Sequence, residues 1–307
     1  AAGRESGTIH IWNLQNTDAE PIRLQHGSQR ITGIAFSPDS RRLATTSLDN
    51  SARLWQIDTQ KLEAVLITSG NDALSPIFTK DGSQLLLSDE AGNVYFWRVQ
   101  PGGDVAHYLT PTNPTRSLVS FRSNDSEKVV FVGNAGRIEM WNPQTGAGQL
   151  FQAGEARLDA VAVNQERSHL AVGGFGGAIH IVDITTGQVV STWQAHLNGV
   201  RALEFWSRNN GDEVLISSGG EAVIRLWDWR NGEALDQLAG HSNDVNALVL
   251  AADSDVLYSA SSDGTVRSWD LQSNYKSQIV MRTPAWLLAL ALSRDKRYLA
   301  AGGFDNR

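Results

Sequence analysis

Histidine, serine and aspartate recur in this chain at spacings that suggest hydrolytic chemistry. His241 lies 28 residues before Trp269, Ser259 lies ten before it, and Asp263 lies six before it. These residue types form the base, nucleophile and orienting carboxylate of serine hydrolases. A hydrolase also needs an exposed nucleophile and an oxyanion hole. The set therefore has two interpretations, a catalytic triad or an internal structural cluster.

Two further sets of the same kind favour the structural interpretation. They are Ser217, His196 and Glu221 before Trp227, and Thr45, His26 and Asp49 before Trp55. A catalytic nucleophile has no reason to appear three times. We therefore expect all three sets to be internal, assign no catalytic residue, and predict that the chain is not an enzyme.

The tryptophans that follow these sets belong to a longer repeat. Strand-ending residues follow one another at steps of 43, 42, 44, 41, 45 and 42 residues, namely Trp12, Trp55, Trp97, Trp141, Val182, Trp227 and Trp269. Such a period, filled with short β-type segments, is typical of β-propellers with four-stranded blades. The sequence predicts an all-β, seven-bladed β-propeller of four-stranded antiparallel blades that uses residues 1–307 as a single domain.

The stretch that begins at Ile31 shows one unit of the repeat. Its four alternating or apolar segments are predicted strands, with turn residues between them: ITGIAFS, RRLATTS, SARLWQI and KLEAVLI. The C-terminal segments LLALALS and RYLAAGG supply two strands of the last unit, and GTIHIWNL and PIRLQ supply the other two. We expect these C-terminal and N-terminal strands to pair and so leave no open edge.

Composition narrows the class of partner and the compartment. A formal charge of −7 argues against a nucleic-acid or anionic-membrane binder. The absence of cysteine fits a reducing, cytoplasmic compartment. No histidine pair has metal-ligand spacing and no glycine-rich loop leads into a helix, so neither metal nor cofactor is predicted. Because Ala1–Gly3 aligns with Ala300–Gly302, we expect a slice of a longer protein with neighbouring domains.

Residues 240–270 carry the most specific signal. The stretch GHSNDVNALVL, followed by VLYSASSDGTVRSWD, contains Gly-His and Trp-Asp pairs and resembles a WD40 repeat. The units of Trp55 and Trp227 are similar, whereas the other four keep only the period and an apolar strand end. The chain thus resembles WD40-repeat β-propellers, including bacterial WD40 arrays.

The resemblance implies a role for the three polar sets. In WD40 repeats the indole N–H donates to the hydroxyl, the hydroxyl donates to one histidine nitrogen, and the other nitrogen donates to the carboxylate. Every buried polar group is then satisfied. Glu221 is one methylene longer than Asp, and His26 lies one residue further from its following strand than His241, so we expect looser networks in those two sets.

The resemblance also implies a partner-binding top face, with three positions per blade. We call these the rim residues: Arg30, Thr32 and Leu48; Asp72, Leu74 and Glu90; Arg157, Asp159 and Phe175; Gly199, Arg201 and Gly220; Asp244, Asn246 and Ser262; Trp286, Leu288 and Phe304; and Arg116 near the rim of the Trp141 unit. The leading prediction is a non-catalytic interaction platform, sensor or scaffold that binds a protein partner there.

Two kinds of rim residue suggest what the partner offers. Trp286, Phe304 and Phe175 are candidate aromatic anchors. Arg30, Arg157 and Arg201, with Arg116 near the rim, suit an acidic or phosphorylated partner segment. The alternative for these residues is that the aromatics fill the centre of the fold and the arginines are solvated.

Two other functions stay open at this point. A metal or small ligand in a central channel is the first, with carboxylates from Asp72, Glu90, Asp159 and Asp244. An architectural role that uses another face is the second, with Trp229 as a candidate contact. The fold alone does not distinguish between these functions.

Overall fold

The computed structural model describes residues 7–16, 18–99, 105–109, 115–123, 126–143, 145–209 and 211–304, with only the backbone at 105–109 and 252. It contains 28 strands and two short 3₁₀ segments, Asn134–Gly136 and Ala252–Ser254. The strands form seven four-stranded sheets, which confirms the predicted all-β, seven-bladed β-propeller fold with antiparallel blades. In the described ranges, no helix is long and apolar enough to cross a bilayer.

The chain divides into two compact units. Unit 1 comprises Ala1–Pro114, Ala260–Val266 and Met281–Arg307, and unit 2 comprises Thr115–Ser259 and Arg267–Val280. We number the strands β1 to β28 along the chain. Blades 1 to 6 are the sheets that begin at β3, β7, β11, β15, β19 and β23, and blade 7 holds both ends of the chain.

Unit 1 contains blades 7, 1 and 2. Blade 7 has the order β2-β1-β28-β27 and consists of β1 (Thr8–Asn13), β2 (Ile22–Gln25), β27 (Trp286–Leu292) and β28 (Tyr298–Phe304). Blade 1 consists of β3 (Ile31–Phe36), β4 (Arg42–Ser47), β5 (Ser51–Gln56) and β6 (Lys61–Ile67). Blade 2 consists of β7 (Ala73–Phe78), β8 (Gln84–Asp89), β9 (Val94–Arg98) and β10 (Val105–Leu109).

Unit 2 contains blades 3 to 5 and most of blade 6. Blade 3 consists of β11 (Thr115–Ser123), β12 (Ser126–Gly133), β13 (Arg137–Trp141) and β14 (Gly148–Gln152). Blade 4 consists of β15 (Leu158–Val163), β16 (His169–Gly174), β17 (Ala178–Asp183) and β18 (Val189–Gln194). Blade 5 consists of β19 (Val200–Ser207), β20 (Glu213–Gly219), β21 (Val223–Asp228) and β22 (Glu233–Ala239). Blade 6 consists of β23 (Val245–Ala251), β24 (Val256–Ser261), β25 (Thr265–Asp270) and β26 (Ser277–Arg282).

Pairing of the two chain ends completes blade 7. Strand β1 lies antiparallel to β28, with Ile9 opposite Gly302 and Trp12 opposite Leu299, and β2 extends the sheet outward. The predicted closure by C-terminal and N-terminal strands is therefore confirmed. Residue 302 is a glycine because a Cβ there would lie 3.1 Å from side-chain atoms of Ile31 on blade 1, so the neighbouring blade packs directly on the strand.

The hydrophobic core lies between successive blades. In unit 1, one cluster joins Ile9 and Ile11 of blade 7 to Leu43 and Trp55 of blade 1. In unit 2, a matching cluster joins blades 5 and 6 and contains Trp269, which is almost fully buried. Strand β3 of blade 1 thus packs against blade 7 on one face and blade 2 on the other, which explains a buried apolar inner strand.

Candidate functional site

Blade 6 shows what the histidine, serine and tryptophan of the polar sets do. Trp269 donates its indole N–H to Ser259 Oγ at 2.8 Å, and His241 Nε2 lies 2.7 Å from the same oxygen. All three side chains are buried. Because no substrate can reach the Ser259 hydroxyl, the set stabilises the blade and does not supply a nucleophile.

In the same blade, the carboxylate of Asp263 organises its own turn. Its Oδ1 accepts hydrogen bonds from the backbone N–H and the Oγ1 hydroxyl of Thr265, at 2.8 and 2.6 Å. The turn between β24 and β25 is held by this pair, because an aspartate that accepts from the residue two positions later closes an Asx turn.

Blade 1 has the same geometry with one additional member. Trp55 donates to Thr45 Oγ1 at 2.9 Å, and His26 Nδ1 lies 2.7 Å from that oxygen. His26 Nε2 lies 3.0 Å from Ser51 Oγ and 3.4 Å from Asp49 Oδ1, and Ser51 donates to Asp49 at 2.6 Å. The polar set of this blade therefore has five members.

Ser51 was not among the predicted site residues, although the sequence contains a signal for it. Ser51 and Thr265 both lie two positions after the carboxylate of their set, and both donate a hydroxyl hydrogen bond to it. A recurring hydroxyl at that offset would have identified them. A short hydroxyl side chain at this position both closes the turn and orients the carboxylate.

Blade 5 differs from the predicted pattern at its carboxylate. Trp227 Nε1 and His196 Nε2 each lie 2.8 Å from Ser217 Oγ, as in blade 6. The other ring nitrogen of His196, however, lies 2.9 Å from Nη1 of Arg225 and not against Glu221. Glu221 instead forms an ion pair with Arg225 at 2.7 Å. The longer glutamate side chain reaches the arginine, and the arginine takes the place beside the imidazole.

Burial keeps the two best-defined histidines neutral. Desolvation lowers the pKa of His26 to about 4, against the raising effect of Asp49. Desolvation also lowers the pKa of His196 to about 4, and the positive charge of Arg225 lowers it further. A neutral imidazole can accept at one nitrogen and donate at the other, which is what a buried connecting group requires.

Blade 2 replaces the histidine by a tyrosine. Tyr95 Oη donates to Asp89 Oδ2 at 2.9 Å, and the backbone N–H of Ser69 donates to Tyr95 Oη at 3.0 Å. Asn93 donates to the same carboxylate oxygen at 2.8 Å, and Asp89 is fully buried. Tyr95 and Asp89 thus join the loop before blade 2 to the turn between β8 and β9. In blade 1 a histidine occupies the position of the tyrosine hydroxyl in such a link. Sequence reasoning missed this set because Tyr95 lies on a strand and not in the loop.

The backbone places first and third rim positions of a blade next to each other. In four blades the third residue donates its N–H to the carbonyl of the first: Leu48 to Arg30, Glu90 to Asp72, Phe175 to Arg157, and Gly220 to Gly199, at 2.9–3.2 Å. The aligned positions are therefore equivalent in these blades. In blade 7 the corresponding residues, Trp286 and Phe304, are opposite each other in the sheet register.

Exposure distinguishes the rim residues of unit 1. Trp286 is 45% exposed and its ring centroid lies 6.5 Å from that of the half-buried Phe304. Arg30 and Glu90 are exposed. A second group is half-buried: Thr32, Leu48, Asp72, Leu74, Ser262 and Leu288.

The rim residues of unit 2 form two ion pairs. Arg157 binds Asp159 through Nε and Nη2, at 2.8 and 3.0 Å, and its guanidinium lies 5.5 Å from the centre of the Phe175 ring. Arg201 Nη2 lies 3.6 Å from Asp244 Oδ2. Asn246 and Arg116 are half-buried, and Gly199 and Gly220 are buried. Two of the predicted arginines are thus already paired with carboxylates.

Leu197 is an exposed residue that sequence reasoning missed. It is 81% exposed, and Phe175 is 72% exposed. The loop of Leu197 passes close to Phe175, because a Cβ added at Gly199 would lie 3.6 Å from Phe175 Cα. Its backbone N–H donates to Glu221 at 2.5 Å, which fixes the loop. The signal was a leucine in HLNGV at the position where HSNDV has serine.

The structure bears differently on the two remaining hypotheses. Within the part of the chain that is described, no three histidine or carboxylate side chains come together as metal ligands would. Trp229, a candidate architectural contact, is buried in the core of unit 2 and packs edge-on against Phe205 at 5.9 Å. Trp229 therefore covers a blade and is not available as a surface contact.

Known proteins match the chain over different extents. The family described as "WD domain, G-beta repeat" matches residues 19–56, 187–228 and 232–270. The chain is 24% identical to Apoptotic protease-activating factor 1 of Danio rerio over 299 residues, which cover 95% of this chain and 23% of that protein. It is 25% identical to Angio-associated migratory cell protein of Homo sapiens over 325 residues, covering 99% and 72%.

A shorter similarity involves another relative. Nuclear distribution protein nudF of Aspergillus niger is 29% identical over 167 residues, which cover 54% of this chain and 37% of that protein. The chain thus spans less than half the length of two of these three relatives. Each of the three family matches contains one complete polar set. Together with the seven four-stranded blades, these matches show a seven-bladed β-propeller with WD40 repeats at residues 19–56, 187–228 and 232–270.

Proposed function

We propose that the chain is a non-catalytic platform, a sensor or scaffold propeller that binds a protein partner through its rim residues. The burial of Ser259, Ser217 and Thr45 supports a structural role for the polar sets. The surface of the blades then has to carry the function. The WD40 repeats support binding of protein partners in general. Binding through the rim residues is the more specific part of the proposal.

The observation that carries the assignment is the exposure of one rim residue, Phe175, together with that of Leu197 on the neighbouring loop of unit 2. Phe175 and Leu197 are 72% and 81% exposed. Arg157 lies over the Phe175 ring, and aromatic and arginine residues are the usual anchors of protein interfaces. A partner that covers both side chains removes this apolar area from water, which favours association.

The chemistry of the partner segment follows from the arginines. An acidic or phosphorylated segment would bind Arg157 and Arg201 by displacing the carboxylates of Asp159 and Asp244. Phosphate makes stronger charge-assisted hydrogen bonds with guanidinium than neutral acceptors do. We propose such a segment as the ligand of the polar part of this rim, beside an apolar residue that contacts Phe175.

Affinity capture with the full chain as bait tests the rim. The double variant Phe175→Ala, Leu197→Ala should lose at least about 90% of the yield of proteins that the unchanged chain captures from its source cells, because truncating a buried anchor commonly costs more than about 1 kcal/mol. Quantitative mass spectrometry of both captures measures the loss.

The matched control removes two other exposed apolar side chains, which lie on outer strands. Leu150→Ala with Val190→Ala, whose residues are also exposed, should leave the captured set unchanged. If the rim variant and the control capture the same proteins with the same yield, the rim is not the binding surface.

The setting of the platform is also proposed. Residues 1–307 would form one propeller domain of a longer protein, which the greater length of the relatives supports. The cytoplasm is the proposed compartment, since a chain without cysteine needs no oxidising environment.

A further inference from the structure

Three turns of unit 1 lie at the opposite end of the blades from the rim residues. They join β3 to β4 in blade 1, β7 to β8 in blade 2 and β27 to β28 in blade 7, and comprise residues 37–42, 79–84 and 293–298. Strand β3 begins just after Arg30 at the rim and ends at the first of these turns. We call the three segments the basic turns, for the reason given by their side chains below.

Each of the basic turns is closed by the same hydrogen bonds. Ser37, Thr79 and Ser293 donate their hydroxyls to an aspartate two positions later, at 2.6, 2.7 and 2.7 Å. These carboxylates, Asp39, Asp81 and Asp295, also accept backbone N–H groups on the far side of the turn, at 3.0–3.1 Å. Asp39, Asp81 and Asp295 are nevertheless exposed, so each turn also presents one carboxylate to solvent.

The basic turns contact one another. The backbone N–H of Asp295 donates to Ser40 Oγ at 3.2 Å, which joins the turn of blade 7 to that of blade 1. A Cβ added at Gly82 would lie 3.3 Å from Pro38 Cδ, so the turn of blade 2 adjoins that of blade 1 on its other side. The three turns form one continuous edge of unit 1.

This edge presents basic side chains to solvent. They are Arg41, Lys80, Arg294, Lys296 and Arg297, of which Lys296 is half-buried and the others are exposed. Within the described ranges, Arg41, Lys80 and Arg294 form no ion pair. Arg42 differs, because it is paired with Glu63 at 2.8 Å. Three exposed aspartates, Asp39, Asp81 and Asp295, lie in the same turns, so basic side chains outnumber acidic ones there. The exposed Asp18, Glu20 and Asp58 belong to the outer hairpins of blades 7 and 1.

Positive charge is not a general property of turns at this position. In blades 4, 5 and 6 of unit 2, the described residues of the equivalent turns include Glu166, Asp212, Asp253 and Asp255, against Arg167 and Arg208. The turn geometry does not demand basic residues, since Asn164 closes the turn of blade 4 with hydrogen bonds to residues 168 and 169. The basic residues of unit 1 therefore need another explanation.

We propose that the basic turns bind an acidic segment of a protein, rich in Asp and Glu, at a site separate from the rim. Charge complementarity identifies this occupant. A nucleic acid or an anionic membrane would extend past the three turns and meet a chain whose net charge is −7. A short acidic segment meets only the basic edge. The proposal stands independently of the function proposed for the rim.

Fluorescence anisotropy with a labelled peptide of about ten glutamates tests the site at low ionic strength, where exposed charge pairs are least screened. The triple variant Arg41→Glu, Lys80→Glu, Arg294→Glu should bind the peptide at least about tenfold more weakly than the unchanged chain. Because these side chains are exposed, the variant should fold. The same residues changed to Gln provide a second variant with a smaller loss in the same direction.

The matched control reverses three exposed basic residues outside the basic turns. Arg23→Glu, Lys276→Glu, Arg282→Glu changes the net charge by the same amount, so it should change the affinity by less than about threefold. Equal losses in both triple variants would show diffuse attraction and overturn the proposal. Tighter binding of single-stranded DNA or phosphatidylserine vesicles than of the peptide would also overturn it. Phe175→Ala with Leu197→Ala should leave peptide binding intact, which separates this site from the rim.

Discussion

The direction of hydrogen bonding in each polar set follows from the group that faces the second ring nitrogen of the histidine. Arg225 is always protonated, so the His196 nitrogen beside it must accept, and His196 Nε2–H donates to Ser217. In blade 1 the second nitrogen of His26 faces Ser51 and Asp49, so it donates, and Thr45 donates to His26. The same residue types thus transmit their hydrogen bonds in opposite directions in two blades.

Two adjacent serines on β20 allow the contribution of a polar set to the free energy of unfolding to be measured. Ser217 Oγ contacts both Trp227 and His196, so Ser217→Ala leaves a buried indole N–H and an imidazole nitrogen without their partner. We expect the free energy of unfolding to fall by about 1–3 kcal/mol, the usual cost of buried polar groups left unsatisfied. Urea-induced unfolding monitored by tryptophan fluorescence measures the change.

Ser218 is the matched control. It is equally buried on the same strand, and its hydroxyl oxygen has no hydrogen-bond partner in the part of the chain that is described. Ser218→Ala should therefore change the free energy of unfolding by less than about 0.5 kcal/mol. Equal effects at the two positions would mean that the indole and imidazole contacts contribute nothing to stability.

At the scale of the strands, sequence alternation predicts most of what the structure shows. The segments predicted for blade 1 differ from β3 to β6 by at most one residue at either end. The repeat period of 41–45 residues is confirmed as well, because each period supplies the four strands of one blade. The pairing of β1 with β28 follows from counting strands, since an unpaired edge is unfavourable.

The side-chain partners of the strands were less predictable. Tyr95 performs the linking role of histidine from a strand, because its length lets the hydroxyl reach both Ser69 and Asp89. Arg225 displaces Glu221 from His196 for the same reason of reach. Sequence spacing gives the position of a Cβ atom, whereas these contacts depend on where the end of a long side chain goes. Exposure of Leu197 likewise depends on a loop conformation that no periodicity describes.

Closure of blade 7 by β1 has a testable energetic consequence. Ile11 is 1% exposed in the cluster between blades 7 and 1, so Ile11→Ala should lower the free energy of unfolding by about 2–5 kcal/mol. Ile67 on the outer strand β6 is 65% exposed, and Ile67→Ala should lower it by less than about 1 kcal/mol. Both changes remove the same atoms from a strand. The difference between their free energies of unfolding, measured with urea, therefore reports the effect of burial. A cost at Ile11 no greater than at Ile67 would contradict the pairing of β1 into the sheet.

At the scale of the whole molecule, charge is distributed unevenly on an acidic chain. The net charge of −7 coexists with a basic edge on unit 1, and the rim arginines of unit 2 are compensated by aspartates. A net charge of −7 therefore disfavours long polyanions as partners more than it disfavours a short acidic segment.

Acid sensitivity is another property of the whole molecule, because histidines of both units contribute to it. Burial lowers the pKa of His26 and of His196 from 6.5 to about 4, and it lowers the pKa of His10 and His180 as well. As the pH falls from 6.5 towards 4, the unfolded chain binds protons that the folded chain does not, so stability is lost. Between about pH 7 and pH 5 we expect His26 and His196 each to contribute a loss of about 1–2 kcal/mol.

Urea unfolding at a series of pH values measures this loss, and His196→Gln identifies its source. The variant lacks the titrating group, so its free energy of unfolding should fall less steeply between pH 7 and pH 5, whatever its stability at neutral pH. His26→Gln should act in the same direction, and Ser218→Ala, which retains every histidine, should keep the original slope. If the His196→Gln slope equals that of the unchanged chain, then His196 is protonated in the folded state near its ordinary pKa. A protonated His196 has no acceptor nitrogen, so it could not accept the hydrogen bond from Arg225 that the blade 5 set contains.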